Sequence, residues 1–292
     1  MTDFWSRRAF LAAAGAGAAA LAGCGSGTIE SALTPSRILS VGDGFSDVGQ
    51  AGVRYTVNDG SVNVWSAQLA ADYGLGLQAV SAGGLSWAQG GARVAGVAPS
   101  VESQVTALLG SQTLGANDLV LVGAGLTDIV AEVTALGISA QTTANVQAAG
   151  TALAAQVRRL VTAGAKYVLV AGVYNLGISP WGVGLNQATA LADLCNAFNH
   201  AFLVGVVDLG ANVLFVDAAL YFNLVNATPS YYSLVNVTAP VCTTPDATTC
   251  TPATLAAGID VGQALFADAF YLTPVANRLF GTHAYTKLRE RW

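Results

Sequence analysis

Charge is scarce in this chain. Only 10% of its 292 residues are Asp, Glu, Lys or Arg, 53% are hydrophobic, and the formal net charge is −5. No basic stripe occurs, so nucleic-acid binding has no electrostatic footing. Histidine is scarcer still, with His200 and His283 the two examples. No His, Cys, Asp or Glu residues cluster at metal-ligand spacing, so neither a metal nor another cofactor is expected. No internal repeat is evident, and no bilayer-spanning run follows the first 23 residues.

The amino terminus is set apart from the fold. Ser6-Arg7-Arg8-Ala9-Phe10-Leu11 has the form of a twin-arginine export signal. An Ala-, Gly- and Leu-rich stretch follows and ends at Leu21-Ala22-Gly23-Cys24, which resembles a bacterial lipobox. The apolar run Ala9 to Gly23 is 15 residues, short of the ~20 that a spanning helix needs. Residues 1–23 therefore read as a signal peptide and Cys24 as the lipidation site that anchors the chain to a membrane. Gly25, not Asp, follows the cysteine, which points to the outer membrane or the periplasm-facing cell envelope. Residues 24–36 read as lipidated cysteine and tether, and residues 37–292 as the folded domain.

Four cysteines fit an exported protein. Cys242 and Cys250 bracket a short polar loop and are expected to pair in an oxidising compartment. The alternative, metal binding, lacks a nearby histidine or second cysteine pair. Cys195 sits in a helical pattern and reads as a small buried hydrophobe.

Along the rest of the chain, short apolar runs alternate with helical patterns. Strands are expected at Arg37 to Val41, Leu119 to Val122, Tyr167 to Ala171 and Asn212 to Val216. Helices are expected at Val64 to Tyr73, Thr142 to Thr162, Gln187 to Val206 and Pro274 to Arg289, the last with proline in its first turn. Ala218 to Ala257 reads as irregular, an insertion over the sheet edge. The alternation implies an α/β fold with a doubly wound parallel sheet flanked by helices, a three-layer sandwich. Sites in such folds lie at the carboxyl ends of the strands.

Four turns at those ends carry chemistry-bearing residue types. They are Gly42-Asp43-Gly44-Phe45-Ser46-Asp47, Gln89-Gly90-Gly91, Gly123-Ala124-Gly125-Leu126-Thr127-Asp128 and Asp268-Ala269-Phe270-Tyr271. In this order they resemble blocks I, II, III and V of the GDSL, or SGNH, hydrolases, a family of lipases and esterases. The resemblance spans nearly all of residues 37–292. It implies a serine nucleophile at position 44, an oxyanion-hole amide at Gly91 (or Gly90), an oxyanion asparagine at position 127, and an Asp268–His pair with the base at position 271. This chain has Gly44, Thr127 and Tyr271 instead, and only a glycine amide and Asp268 match the pattern.

The departures remove the chemistry. A glycine cannot be acylated, and a tyrosine of reference pKa about 10 is a poor base. Losing a triad serine or histidine costs about 10⁶ in rate, and one oxyanion donor a further 10²–10³ or so. The reading is therefore a degenerate lipase/esterase-like lipoprotein, a binding or scaffold protein holding an acyl, glycan or protein ligand in its cleft. Trp65, Trp87 and Trp181 are candidates to line that cleft, although aromatic positions of this kind are more often core. The alternative is an active serine ester hydrolase with a displaced nucleophile such as Ser46, whose plainer role is a turn or helix cap on backbone amides. Asp43, Asp47 and Asp128 are expected to converge at the strand ends as loop hydrogen-bonding groups.

Overall fold

The computed structural model describes Ser31 and residues 33–292. The signal at 1–23 and Cys24 fall outside the described residues.

Four parallel strands form the sheet: β1 (Arg37–Gly42), β2 (Asp118–Gly123), β3 (Tyr167–Ala171) and β4 (Val213–Val216), hydrogen-bonded in the order β1-β2-β3-β4. The register pairs Gly42 with Gly123, and Gly123 with Ala171, so the carboxyl ends finish level. All six residues of β2 are buried, as a strand covered on both faces must be. The outer edge of β1 carries a further parallel segment. Ser40 N donates to Leu85 O (3.0 Å), Trp87 N to Ser40 O (2.7 Å) and Gln89 N to Gly42 O (3.1 Å). The chain thus leaves β1 toward one edge and returns past it to β2, and this reversal makes the sheet doubly wound. The switch point falls at the end of β1, where such folds open a crevice.

Right-handed crossovers then assign the helices to faces. The helix α1 (Trp65–Asp72) follows β1 in one direction and packs on the last helix, α8 (Pro274–Arg291). The crossovers in the other direction carry α2 (Val101–Ser111), α3 (Leu126–Leu136), α4 (Ala140–Thr162), the short α5 (Pro180–Gly184) and α6 (Ala188–Gly205). Of these, α2, α3 and α6 pack against α4 on the opposite face. Helix α7 (Ala218–Ala227) follows β4.

Two expectations change. The stretch from Ala218 opens with α7, whose N-cap Asp217 accepts the Leu220 amide at 2.9 Å and whose inner face buries Tyr221, Phe222 and Val225. The body also begins earlier than residue 37: Leu33 is buried and donates its amide to Trp292 O (3.3 Å), and Ser36 N bonds Asn117 O (2.9 Å). An apolar leucine beside the last helix has a core to enter, so the last residues of the expected tether are packed rather than extended. A disulfide joins Cys242 to Cys250. Cys195 is buried, its thiol pushed up to about 12 by desolvation.

Candidate functional site

The turn after β1 is held by side chains that bond backbone. Gly42 has no room for a Cβ, which would run into the carbonyl of Gly123. Gln104 of α2 clamps it, accepting from Gly42 N (2.7 Å) and donating to Gly42 O (2.9 Å). Asp43 is fully buried. Its carboxylate accepts the amides of Phe45 (3.0 Å), Gly125 (3.1 Å) and Thr127 (3.1 Å), tying the β1 turn to the β2 turn. Burial outweighs those three donors and pushes the acid up to about 7. Asp47 accepts Gly49 N (2.8 Å), Gln50 N (2.7 Å) and Gly90 N (2.8 Å), fixing the Gln89-Gly90-Gly91 turn beside it. Asp128 accepts Val94 N (3.1 Å) and pairs with Arg93 (3.5 Å), and burial raises it to about 6. All three aspartates serve as loop anchors at the strand ends.

A cleft of about 380 Å³ opens above these turns, a size suited to a small ligand. Gly91, Thr127, Asp268 and Tyr271 all line it, and Gly44 lies directly beneath Tyr271. The five positions singled out in the sequence therefore converge. Asp47 consumes the Gly90 amide, whereas Gly91, at φ +74°, has no hydrogen bond on its amide among the described residues. Gly91 is thus the better placed of the two glycines to donate into the cleft. The Thr127 amide is committed to Asp43, and its hydroxyl is buried without a partner.

What fills the centre is aromatic. A Cβ on Gly44 would collide with the Tyr271 hydroxyl and would lie 2.9 Å from both Tyr271 Cζ and Tyr55 Cγ. The Tyr55 and Tyr271 rings stand 4.8 Å apart, and Tyr55 also covers Gly90 so closely that a Cβ there would overlap its ring. Burial, then the nearby Asp43 carboxylate, drives the Tyr271 phenol well above its ordinary value. A phenol held above its ordinary value of about 10 is protonated near neutral pH and does not serve as a general base there.

Asp268 points its carboxylate at backbone. It accepts Tyr271 N (2.7 Å), Phe270 N (3.0 Å) and Ala247 N (3.0 Å), the last from within the disulfide loop. Burial raises its pKa against the pull of those amides. Neither histidine comes near. His200 is exposed on α6, and His283 on α8 stacks against Tyr221 with ring centres 4.3 Å apart.

Ser46 differs from its expected place as a cap on backbone amides. It is wholly buried, donates its hydroxyl to Gly123 O (3.0 Å) and accepts from Trp65 Nε1 (3.1 Å). The side chain points into the core because the turn folds back onto the end of β2. Trp65 is likewise fully buried, packed between Phe45 and Phe280 with ring centres 5.7 Å from each, and does not line the cleft. Its position on the inward stripe of α1 decides this. Trp87 is also buried, and Trp181 is half-buried against Phe270, a cleft residue. Sequence reasoning missed Tyr55 in the cleft wall and Gln104, the buried clamp on Gly42 beneath it. Tyr55 stands in no motif, and only the fold of the loop between β1 and α1 brings it over Gly44.

The sheet, its reversal and the cleft at the strand ends define an α/β protein with a ligand-sized crevice at its switch point. No known family profile matches the chain. An uncharacterised protein from the trpE-trpG intergenic region of Pseudomonas putida is 28% identical over 154 residues, covering 51% of this chain and 26% of that protein. The chain therefore spans about a quarter of the length of this curated relative. Among solved structures, a carbohydrate acetylesterase from Sinorhizobium meliloti superposes with a TM-score of 0.47 at 13% identity, over 87% of this chain and 99% of that one. Phospholipase A1 from Streptomyces albidoflavus superposes at 0.44 and 18% identity, over 87% and 98%. An extracellular lipase from Streptomyces rimosus superposes at 0.44 and 16%, over 87% and 99%.

Proposed function

We propose that this chain is a GDSL/SGNH-type protein that has exchanged serine ester hydrolysis for binding, a ligand-holding or scaffold protein of the bacterial cell envelope. The observation that carries the reading is the mutual exclusion of a side chain at position 44 and the tyrosine at 271. The nucleophile's place is empty because the base's place holds a ring that needs the space. One substitution alone leaves a catalyst short of a group, whereas this pair repacks the site. The buried hydroxyl of Ser46, hydrogen-bonded twice and remote from both histidines, weighs against a displaced nucleophile. The open remainder of the cleft, with the Gly91 amide, is what a ligand of acyl or glycan type would meet.

The test is hydrolysis of p-nitrophenyl acetate by the purified protein, beside a variant carrying Gly44→Ser, Thr127→Asn and Tyr271→His with Tyr55→Ala. A natural chain at the uncatalysed rate with activity in the variant supports a retained frame. Turnover by the natural chain that is abolished by Ser46→Ala overturns the reading.

Export and anchoring through Cys24 belong to the same proposal. In a bacterial host, metabolic labelling with a palmitate analogue is expected to tag the natural chain but not Cys24→Ser. Equal labelling of the two removes the anchor from the reading.

A further inference from the structure

A second concavity lies away from the strand ends, between α7, the turn at Pro229–Tyr232 and α8, with a volume of about 690 Å³. Its surface is aromatic and polar at once. Tyr221 of α7 and His283 of α8 form its stacked floor, with ring centres 4.3 Å apart. Tyr232 meets Tyr221 edge-on at 5.8 Å, and Tyr231 meets Tyr232 edge-on at 5.2 Å. Tyr231 is 83% exposed, an uncommon position for a ring that packing does not need. Arg278 reaches the same wall from α8.

Thr282 and Thr286 spend their hydroxyls on Asp72 Oδ2 (2.9 Å) and Thr282 O (3.0 Å), whereas the aromatic groups are uncommitted. Among the described residues, no hydrogen bond engages the hydroxyls of Tyr221, Tyr231 or Tyr232, or either ring nitrogen of His283. Arg278 spends one terminal nitrogen on Ser61 Oγ (3.3 Å) and Val62 O (3.1 Å), and among the described residues no hydrogen bond engages its other terminal nitrogen or Nε. Burial, then the neighbouring Lys287, holds His283 below its ordinary value, so at neutral pH the imidazole is uncharged and both donates and accepts. No carboxylate lines this wall.

We propose that this groove is an oligosaccharide-binding site, separate from the cleft over Gly44 and independent of whether that cleft is active. Sugars present a face of polarised C–H bonds and a rim of hydroxyls, each of which donates and accepts. Aromatic faces carry negative charge that attracts such C–H bonds. Tyrosine hydroxyls and a neutral imidazole match the rim, because they too donate and accept. An acyl chain would bury those hydroxyls unpaired, at a cost. An extended peptide wants a strand edge, which two helices and a tight turn do not offer, and the aliphatic part of the wall is confined to Val275 and Leu279. The open guanidinium favours sugars bearing a carboxylate.

The experiment is isothermal titration calorimetry of the purified protein with chitotetraose, cellotetraose, xylotetraose and tetragalacturonate, at millimolar sugar. Saturable binding of at least one is expected. Tyr231→Ala should weaken it about tenfold, in line with the loss of one aromatic contact. Tyr231 is surface-exposed, so that variant should keep its fold, checked by circular dichroism. His283→Ala should weaken binding as well, while the cleft variant Phe270→Ala should leave it unchanged. Absence of heat with all four sugars overturns the proposal. So does binding that survives both groove substitutions or is lost in Phe270→Ala, either of which places the sugar elsewhere.

Discussion

Tyr55 and Tyr271 meet with ring centres 4.8 Å apart directly over Gly44. One comes from the loop after β1 and the other from the turn before α8, 216 positions later in the chain. Together they close the space that any side chain at position 44 would need.

Gly44→Ser in the otherwise natural chain is expected to overpack this site and destabilise the protein by about 1–3 kcal/mol, without esterase activity. Adding Tyr271→His relieves one collision and leaves Tyr55 Cγ 2.9 Å from the new Cβ. Activity should therefore rise only once Tyr55 is shortened as well. Urea unfolding and p-nitrophenyl acetate hydrolysis, run on the same variants, read the two effects separately.

Ser46→Ala should cost stability and nothing else. It strips the Gly123 carbonyl of one donor and the Trp65 indole of its acceptor. A buried group left unpaired costs about 1–3 kcal/mol. The urea midpoint should fall accordingly, with the slope and the background ester rate unchanged.

Asp43 gives a pH dependence of definite sign. Its folded pKa, about 7, lies above the ordinary 3.8. The folded state therefore holds this proton more tightly than the unfolded state does. Its contribution is fully present below pH 3.8 and is lost as pH rises through 7, at up to about 1.4 kcal/mol per pH unit. Asp128, raised to about 6, acts in the same direction. A carboxyl-carbon NMR titration should show the Asp43 midpoint near 7. A midpoint in the ordinary aspartate range would mean that its three amide donors outweigh burial.

Reducing the Cys242–Cys250 bond should lower stability by about 2–3 kcal/mol, the loop-closure value for a separation of 8 residues. The same loop presents the Ala247 amide to Asp268. Hydrogen exchange should therefore quicken at Ala247, Phe270 and Tyr271 together in the presence of reductant, and β2 should stay protected.

The sequence made some elements plain and hid others for physical reasons. Tyr167–Ala171 is an unbroken apolar run closed by a glycine stop, and it is β3 residue for residue. The ends of β1 and β2 extend one residue past the apolar run because Gly42 and Gly123 continue the ladder without a side chain to announce it. Helix α7 is obscured in the sequence by the turn-rich stretch that follows it. The five motif positions could be named from the sequence, and the fold brings them to one cleft. Trp65 sits in the core, the commoner place for such an aromatic, because an aromatic near a motif fits a cleft wall as well as a core and only the facing of α1 decides between them. Tyr55 could not be found at all, since its role depends on a loop path that carries no periodic signal.

The clamp of Gln104 on Gly42 and the amide bonds of Asp43 and Asp47 share one property: none of them involves the side chain at position 44. The shape of the turn and the side chain at its tip are separable. A chain built this way can change the residue at position 44 without changing its frame, and the position stands open to whatever reactive group an engineer chooses to fit, once the two rings above it are cleared away.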